Sequence, residues 1–384
     1  MSNSITVPSA RHSPRVGIVV EQLWQPVPGG SGTYIRELVQ ELYHSGARLA
    51  GLAAHHRRGP ATHELGLPAA LPVRFARLPR RVLYDSWNTL HRPRAEEILP
   101  GVDVIHATTW ALPATGRPLV VTVHDVAFLR SPEHFTKRGN RYFHRALART
   151  RREAAAVITP SLATADDCVA AGIPAHDITV IPHGVRTIEV SAADVADFRS
   201  RHCVQHPYIL WTGTREPRKN LPGLLEAFSL VAAERSDLDL VLVGPRGWGD
   251  AGSARTGNVA LSDRIHVLGH LSEFDLAAAY RGARAFCFPS HWEGFGLPVL
   301  EAMAYGTPVV TSRGTCMEEV VGSAGLLADP AAPGELAAQL ITAAGPAHDE
   351  FSSAGLERAS RFTWEACAHA HAEVYENLAR GAKQ

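Results

Sequence analysis

Apolar residues fall into short unbroken runs along this chain, each followed by a polar or glycine-containing break and then by apolar positions at helical spacing. In the first half the runs lie at residues 15–20, 49–54, 102–106, 119–124, 155–161 and 178–185. In the second half they lie at 208–213, 238–243, 265–271, 285–288 and 309–310. Runs without polar alternation mark strands buried on both faces, as in a parallel sheet. Between them, Ile35, Leu38, Val39 and Leu42 share one face of a predicted helix over 33–42, and Leu221, Leu224, Leu225 and Phe228 do the same further on. Two successive series of strand, turn and helix predict an α/β protein of two Rossmann-like domains facing each other across a cleft.

Composition narrows the function classes. At 384 residues with 45% hydrophobic and 20% charged positions, the chain can build two or three ordinary cores. A formal net charge of zero argues against nucleic-acid binding driven by overall positive charge. Five cysteines (Cys168, Cys203, Cys287, Cys316 and Cys367) lack metal or redox spacing and read as reduced thiols of a cytosolic protein. No apolar run approaches the roughly 20 residues that span a bilayer. Residues 1–14 read as a loose polar tail.

The stretch from His291 to Val310 carries the densest chemistry. After the apolar run at 285–288 it places Glu293 in a loop, then Gly294-Phe295-Gly296-Leu297-Pro298, then Glu301 on a short helix that Gly306 ends. Amides around Phe295, Gly296 and Leu297 sit at a helix N-terminus, a place for an anion. Two carboxylates beside an anion hole suit a ligand bearing both hydroxyls and phosphates. Upstream, Thr214-Arg215-Glu216-Pro217-Arg218-Lys219-Asn220 sets adjacent cations at another strand-to-helix turn, where they can neutralise a departing diphosphate. In the first half, Pro28-Gly29-Gly30-Ser31-Gly32 forms a glycine-rich turn between strand and helix. It lacks the third glycine of a dinucleotide fingerprint, and the second run ends in His55-His56-Arg57-Arg58 with no ribose-binding acid, which disfavours a nicotinamide cofactor. His124 and Asp125 stand at the end of the 119–124 run, the edge where open α/β sheets bind ligands. From Lys137 to Arg152 the chain is strongly basic, with Arg141, Arg145, Arg149 and Arg152 on one predicted helix face; such a helix binds anionic lipid, lies solvated, or receives an anionic acceptor.

The Glu293–Glu301 spacing with its Gly-Phe-Gly-Leu-Pro interior and following Gly-Thr-Pro-Val-Val resembles the Glu-x7-Glu motif of retaining glycosyltransferases of family 4, which have the GT-B fold. The Gly29-Gly30, His124-Asp125 and Pro217-Arg218-Lys219 elements fit the same resemblance, which covers nearly all of residues 15–378. It implies an N-terminal acceptor domain (15–186), a linker (187–206), a C-terminal nucleotide-sugar domain (207–362) and a last helix (363–384) crossing back to the first domain. It further implies a hexosyltransferase that moves a hexose, mannose favoured, from a nucleoside-diphosphate sugar to an acceptor hydroxyl with retention, in glycan or glycolipid biosynthesis. Lys219, Arg218 and the amides at Gly30 and Gly294, Phe295, Gly296 and Leu297 would hold the diphosphate. Glu301 would take the ribose, Glu293 the sugar and its oxocarbenium-like transition state, and His124 would position sugar or acceptor. Whether Arg218 or Arg215 assists Lys219 stays open. GDP-mannose is the favoured donor, with UDP- and ADP-sugars open, no resident cofactor and no metal. The expected setting is cytoplasmic, at the inner face of the cell membrane if the basic helix binds lipid. A nucleotide-sugar epimerase of the same fold and a non-catalytic glycan-binding protein are the alternatives.

Overall fold

The computed structural model describes residues 13–57, 59–245, 247 and 259–382. The expected tail, apart from its last two residues, lies outside these, as do Arg58 and Trp248. The chain forms two compact units. One comprises residues 1–159, 165–181 and 364–384, and the other residues 160–164 and 182–363.

Among its described residues the first unit holds seven strands: β1 (Arg15–Val19), β2 (Arg48–Ala53), β3 (Val73–Phe75), β4 (Val104–Ala107), β5 (Leu119–Thr122), β6 (Ala154–Thr159) and β7 (Ile178–Val180). They pair in the order β3-β2-β1-β4-β5-β6-β7, all parallel. The second unit holds β8 (Tyr208–Thr212), β9 (Asp239–Val243), β10 (Ile265–Gly269), β11 (Ala285–Phe288), β12 (Val309–Ser312) and β13 (Leu326–Ala328). Their order is β10-β9-β8-β11-β12-β13, again all parallel. The unbroken apolar runs are explained by this burial: every residue of β4, β5, β8, β9, β11 and β12 is buried. Strand order reverses between β1 and β4 in one unit and between β8 and β11 in the other. Chains leaving the sheet in opposite directions open a crevice at each of those carboxyl ends.

The helix Trp364–Gly381 belongs to the first unit and is fastened there by neutral polar groups. His371 Nδ1 must donate to the Cys367 carbonyl (2.7 Å), so its Nε2 accepts from the Tyr34 hydroxyl (2.8 Å). The Tyr34 oxygen then accepts from Thr122 (2.8 Å), Thr122 accepts from His106 Nε2 (2.7 Å), and His106 Nδ1 accepts from Tyr375 (2.8 Å). Each group of this buried chain of bonds is satisfied without a net charge.

Two segments differ from expectation. Residues 187–206 contain the helix Ala192–Arg201, whose Ser191 caps it and whose Phe198 is fully buried in the second core, so much of the expected linker is packed structure. The glycine turn at 29–32 is helical from its start, since the helix runs Gly29–His44. First-turn amides need no helical partner, so glycine there costs no internal bond. Gly30 is thus exposed on the first turn rather than in a loop preceding it.

Candidate functional site

The crevice of the second unit collects the charged residues of both motifs. β8 ends at Gly213, and the turn Pro217–Lys219 leads through Asn220, left-handed at φ 53°, into the helix Leu221–Glu234. The turn folds Lys219 back across Gly213, where a Cβ would lie 3.1 Å from the lysine Cδ. β9 ends beside it at Gly244, where a Cβ would fall 2.0 Å from the Gly213 carbonyl oxygen, so both strand ends require glycine for this approach. β11, on the other side of β8, ends at Phe288 and continues into the loop carrying Glu293.

Lys219 Nζ donates to Glu293 Oε1 at 2.8 Å and sits 4.5 Å above the Phe288 ring. Arg218 Nη1 lies 2.5 Å from Glu293 Oε2 and 3.1 Å from the Trp292 carbonyl oxygen, while its Nη2 meets Glu216 at 2.7 Å. The backbones are tied as well, His291 N donating to the Arg218 carbonyl at 2.8 Å. Burial opposes the charge on Glu293, but Arg218 and then Lys219 outweigh it and hold its carboxyl at about 2. Burial draws the Lys219 ammonium below its ordinary value, against the attraction of Glu293. The arrangement is a preorganised charge cluster, in which the Lys219 ammonium carries three hydrogens and the Arg218 guanidinium five.

The loop after Glu293 is fixed from several sides. The Gly294 carbonyl accepts from Ser161 (2.7 Å) and Thr164 (3.0 Å), and the Glu293 carbonyl accepts from the Cys316 thiol (3.0 Å). Phe295 packs edge-on to His183 and Phe362. Gly296, at φ 94°, turns the chain into the helix Leu297–Ala304, and a Cβ there would meet Met317 at 2.8 Å. Pro298 fits that first turn because it owes no hydrogen bond. One turn on, Glu301 accepts from the Tyr280 hydroxyl at 2.8 Å, and Thr212 donates to Tyr280 at 2.9 Å. Burial and the neighbouring Glu301 push the Tyr280 phenol up, so it remains a donor to the carboxylate.

In the first unit, His124 follows β5 at the carboxyl edge. Its Nε2 donates to the Thr108 carbonyl at 3.0 Å, which leaves Nδ1 as the acceptor of the neutral ring. Burial lowers its pKa, against Asp125 and the Thr108 bond. Tyr34 braces it edge-on at 4.9 Å. Asp125 is turned to local structure, accepting from Ala127 N at 2.9 Å.

Residues 194–344 match the family described as glycosyl transferases group 1, and residues 28–189 match Glycosyltransferase Family 4. The O-antigen chain mannosyltransferase B of Escherichia coli is 33% identical over 307 residues, covering 77% of this chain and 81% of that protein. The chain belongs to glycosyltransferase family 4. This family member is a hexosyltransferase. It is also similar to the MMP alpha-(1->4)-mannosyltransferase of Mycolicibacterium hassiacum, 28% identical over 91% of this chain and 94% of that one. A phosphatidyl-myo-inositol mannosyltransferase of Mycobacterium leprae is 26% identical, with 95% and 97% covered. Among solved structures, Anabaena HepE in complex with UDP and glucose has the same GT-B fold, with a TM-score of 0.73 at 22% identity over 94% of this chain and 99% of that one. WaaG, a glycosyltransferase involved in lipopolysaccharide biosynthesis, gives 0.68 at 15%, with 94% and 99% covered.

Within this glycosyltransferase the structure brings together Lys219, Arg218 and Glu293, and builds Gly294, Phe295, Gly296, Leu297 and Glu301 into the adjoining turn and helix. Arg218 shares the carboxylate with Lys219. Gly30 and His124 stand in the other unit. The expected basic face of the helix Lys137–Glu153 is interrupted at Arg149, which is 2% exposed. Its guanidinium donates to the carbonyls of Trp87, Leu112 and Pro113 and to Glu153, so this cation fastens the core. The sequence pattern missed Tyr280, Glu216, Ser161 and Thr164. Ser161, Thr164 and Tyr280 act through partners far away in sequence, whereas Glu216 pairs with the nearby Arg218. Among the described residues no three metal-ligating side chains cluster, and no helix is long and apolar enough to cross a membrane.

Proposed function

We propose that this enzyme transfers mannose from a nucleoside-diphosphate sugar, GDP-mannose in the favoured case, to an acceptor hydroxyl with retention of the α configuration. The observation that carries the reading is the Lys219–Glu293–Arg218 cluster at the crevice of the second unit, beside the N-terminus of the helix Leu297–Ala304. Relatives named as mannosyltransferases favour mannose. The UDP and glucose in the HepE structure keep a UDP-sugar as the second candidate.

In this account Lys219, Arg218 and the amides of the Gly294–Leu297 turn and of Gly30 hold the diphosphate. Glu301, oriented by Tyr280, accepts hydrogen bonds from the ribose hydroxyls. Glu293 holds sugar hydroxyls and faces the positive charge that develops at the anomeric carbon. The bond from that carbon to the phosphate oxygen breaks as the acceptor oxygen bonds to it on the same face. The leaving phosphate takes the acceptor proton, and Lys219 and Arg218 stabilise its growing negative charge. His124 positions the sugar or the acceptor, and the first unit supplies the acceptor side. The acceptor is a glycan or a lipid-linked saccharide.

The exposed cations Lys137, Arg138, Arg141, Arg145, Arg151 and Arg152, with Arg81 and Val82 nearby in sequence to the stacking partner Tyr84, suit an anionic lipid surface on the cytoplasmic side. Arg141→Glu with Arg145→Glu is expected to abolish salt-sensitive co-sedimentation with phosphatidylglycerol vesicles. Incubation with GDP-mannose, UDP-glucose and ADP-glucose, with the product anomer read by proton NMR, tests the reaction. An α-mannoside supports it, whereas a β-linked product or an epimerised nucleotide sugar contradicts it.

A further inference from the structure

The first unit has a second concave feature at the amino ends of its strands, the edge opposite to His124. A cavity of about 390 Å³ opens where β5 begins at Leu119 and where Glu153 precedes β6. That volume lies in the range of small-molecule sites. Its lining is unbalanced in charge: Arg92, Arg94, Arg117 and His91 face it, with Glu153 as the one carboxylate of the lining. Glu153 is already engaged by Arg149 at 2.7 Å, and Arg92 is engaged by Glu97 at 2.5 Å. Glu96, turned to Thr115 (2.9 Å) and the Gly116 amide (2.7 Å), is the acidic neighbour of Arg94, but among the described residues no ion pair is formed by Arg94 or Arg117. Both side chains are exposed, and both hang from the paired segments around the Arg94–Ala114 bridge, so a framework of backbone holds them.

The rest of the lining fits a carbon skeleton. Leu90, 72% exposed, stands with Ala114 and Leu119 beside the arginines. Between Leu90 and Arg92, His91 adopts a left-handed φ of 52°. That conformation is uncommon outside glycine and concentrates at ligand-holding segments.

We propose that this cavity binds a phosphomonoester of about hexose-phosphate size, with Arg94 and Arg117 clamping the phosphate and the Leu90 side receiving the carbon frame. Guanidinium groups match phosphate oxygens in pairs, and two of them in one concavity, neither held in a direct ion pair, form a phosphate site rather than a solvated surface. The site uses none of the residues assigned to the donor and stands whether or not that assignment holds. The shared chemistry admits two sources: a free sugar phosphate, or the phosphomonoester headgroup of phosphatidic acid.

The test is calorimetric titration of the full chain with glucose 6-phosphate, with free glucose as control, alongside sedimentation with vesicles containing phosphatidic acid. Arg94→Ala with Arg117→Ala is expected to weaken the phosphomonoester at least about tenfold, since each charged hydrogen bond contributes more than a factor of ten. The milder Arg117→Gln is expected to show the same direction with an unchanged unfolding temperature. Lys219→Ala, which disables the donor cluster, is expected to leave this binding within about twofold. Loss confined to the soluble ligand identifies a free phosphate, and loss confined to the vesicles identifies the lipid. Binding that ignores the arginine variants, binding that disappears with Lys219→Ala, or no binding by either probe overturns the proposal.

Discussion

The two units carry buried polar clusters of opposite design. In the first, Tyr34, His106, Thr122, His371 and Tyr375 form a chain in which every proton has one place to go and no group is charged. In the second, Lys219, Arg218, Glu216 and Glu293 put four charges into a small volume. A saturated neutral network rigidifies, and little ligand chemistry is left in it. A buried ion cluster is weak evidence for stability, because desolvation cancels much of the attraction. The difference teaches where to look for function: the first cluster fastens the last helix, and the second, which stability alone does not explain, is where we place the charged ligand.

The sharpest break is Glu293→Ala. It leaves the buried Lys219 without its carboxylate, while the half-buried Arg218 keeps Glu216, and should cost about 3 kcal/mol of stability in the second unit as well as activity. Thermal unfolding with turnover checks this; a variant as stable as the parent would remove the charge-cluster account. Lys219→Ala keeps Arg218 on Glu293, so the fold should survive while turnover falls about 10²–10³-fold. Tyr34→Phe inverts the pattern: a loss of about 1–3 kcal/mol in the first unit by denaturant titration, with nucleotide affinity retained.

Acid separates the units further. Burial holds His371 at about 4, below its ordinary 6.5. Burial, with repulsion from His371 and His124, also lowers His106. The unfolded chain therefore takes up these protons first, and their contribution, complete above pH 6.5, is lost as the pH falls toward 4. Glu293 has a folded value of about 2 against an ordinary 4.5, so its contribution is lost only below pH 4.5. Hydrogen exchange at pH 5 should show opening in the first unit with the second still protected. The smallest expected effect is Tyr280→Phe, which frees Glu301 from its orienting donor and should weaken nucleotide binding about fivefold by calorimetry.

Much of this was legible in the chain itself, for physical reasons. Strands such as Val104–Ala107 and Ala285–Phe288 are buried on both faces, so their apolar runs are unmistakable. Lys219 and Glu293 stand in turns, and Glu301 on the short helix that follows, all announced by neighbouring glycines and prolines. Arg149 was misplaced because helical periodicity assigns a face, whereas the three backbone carbonyls that draw it inward, beside its i,i+4 partner Glu153, leave no side-chain pattern. Tyr280 was invisible as a site residue for a different reason: its partner is the Glu301 carboxylate 21 residues on, beyond β11 in the chain. The helical start at Gly29 was hidden because glycine signals a turn until tertiary packing decides otherwise.

The central claim is that the cluster at the β8–β11 crevice is the donor-diphosphate site. The direct measurement is calorimetric titration of GDP, with GMP as control, into the wild-type enzyme and Lys219→Ala. The account predicts that GDP binds the wild type more tightly than GMP and that Lys219→Ala loses about tenfold or more of the GDP affinity, bringing the two nucleotides together. Equal GDP affinity in both proteins, with the preference over GMP intact, would contradict it.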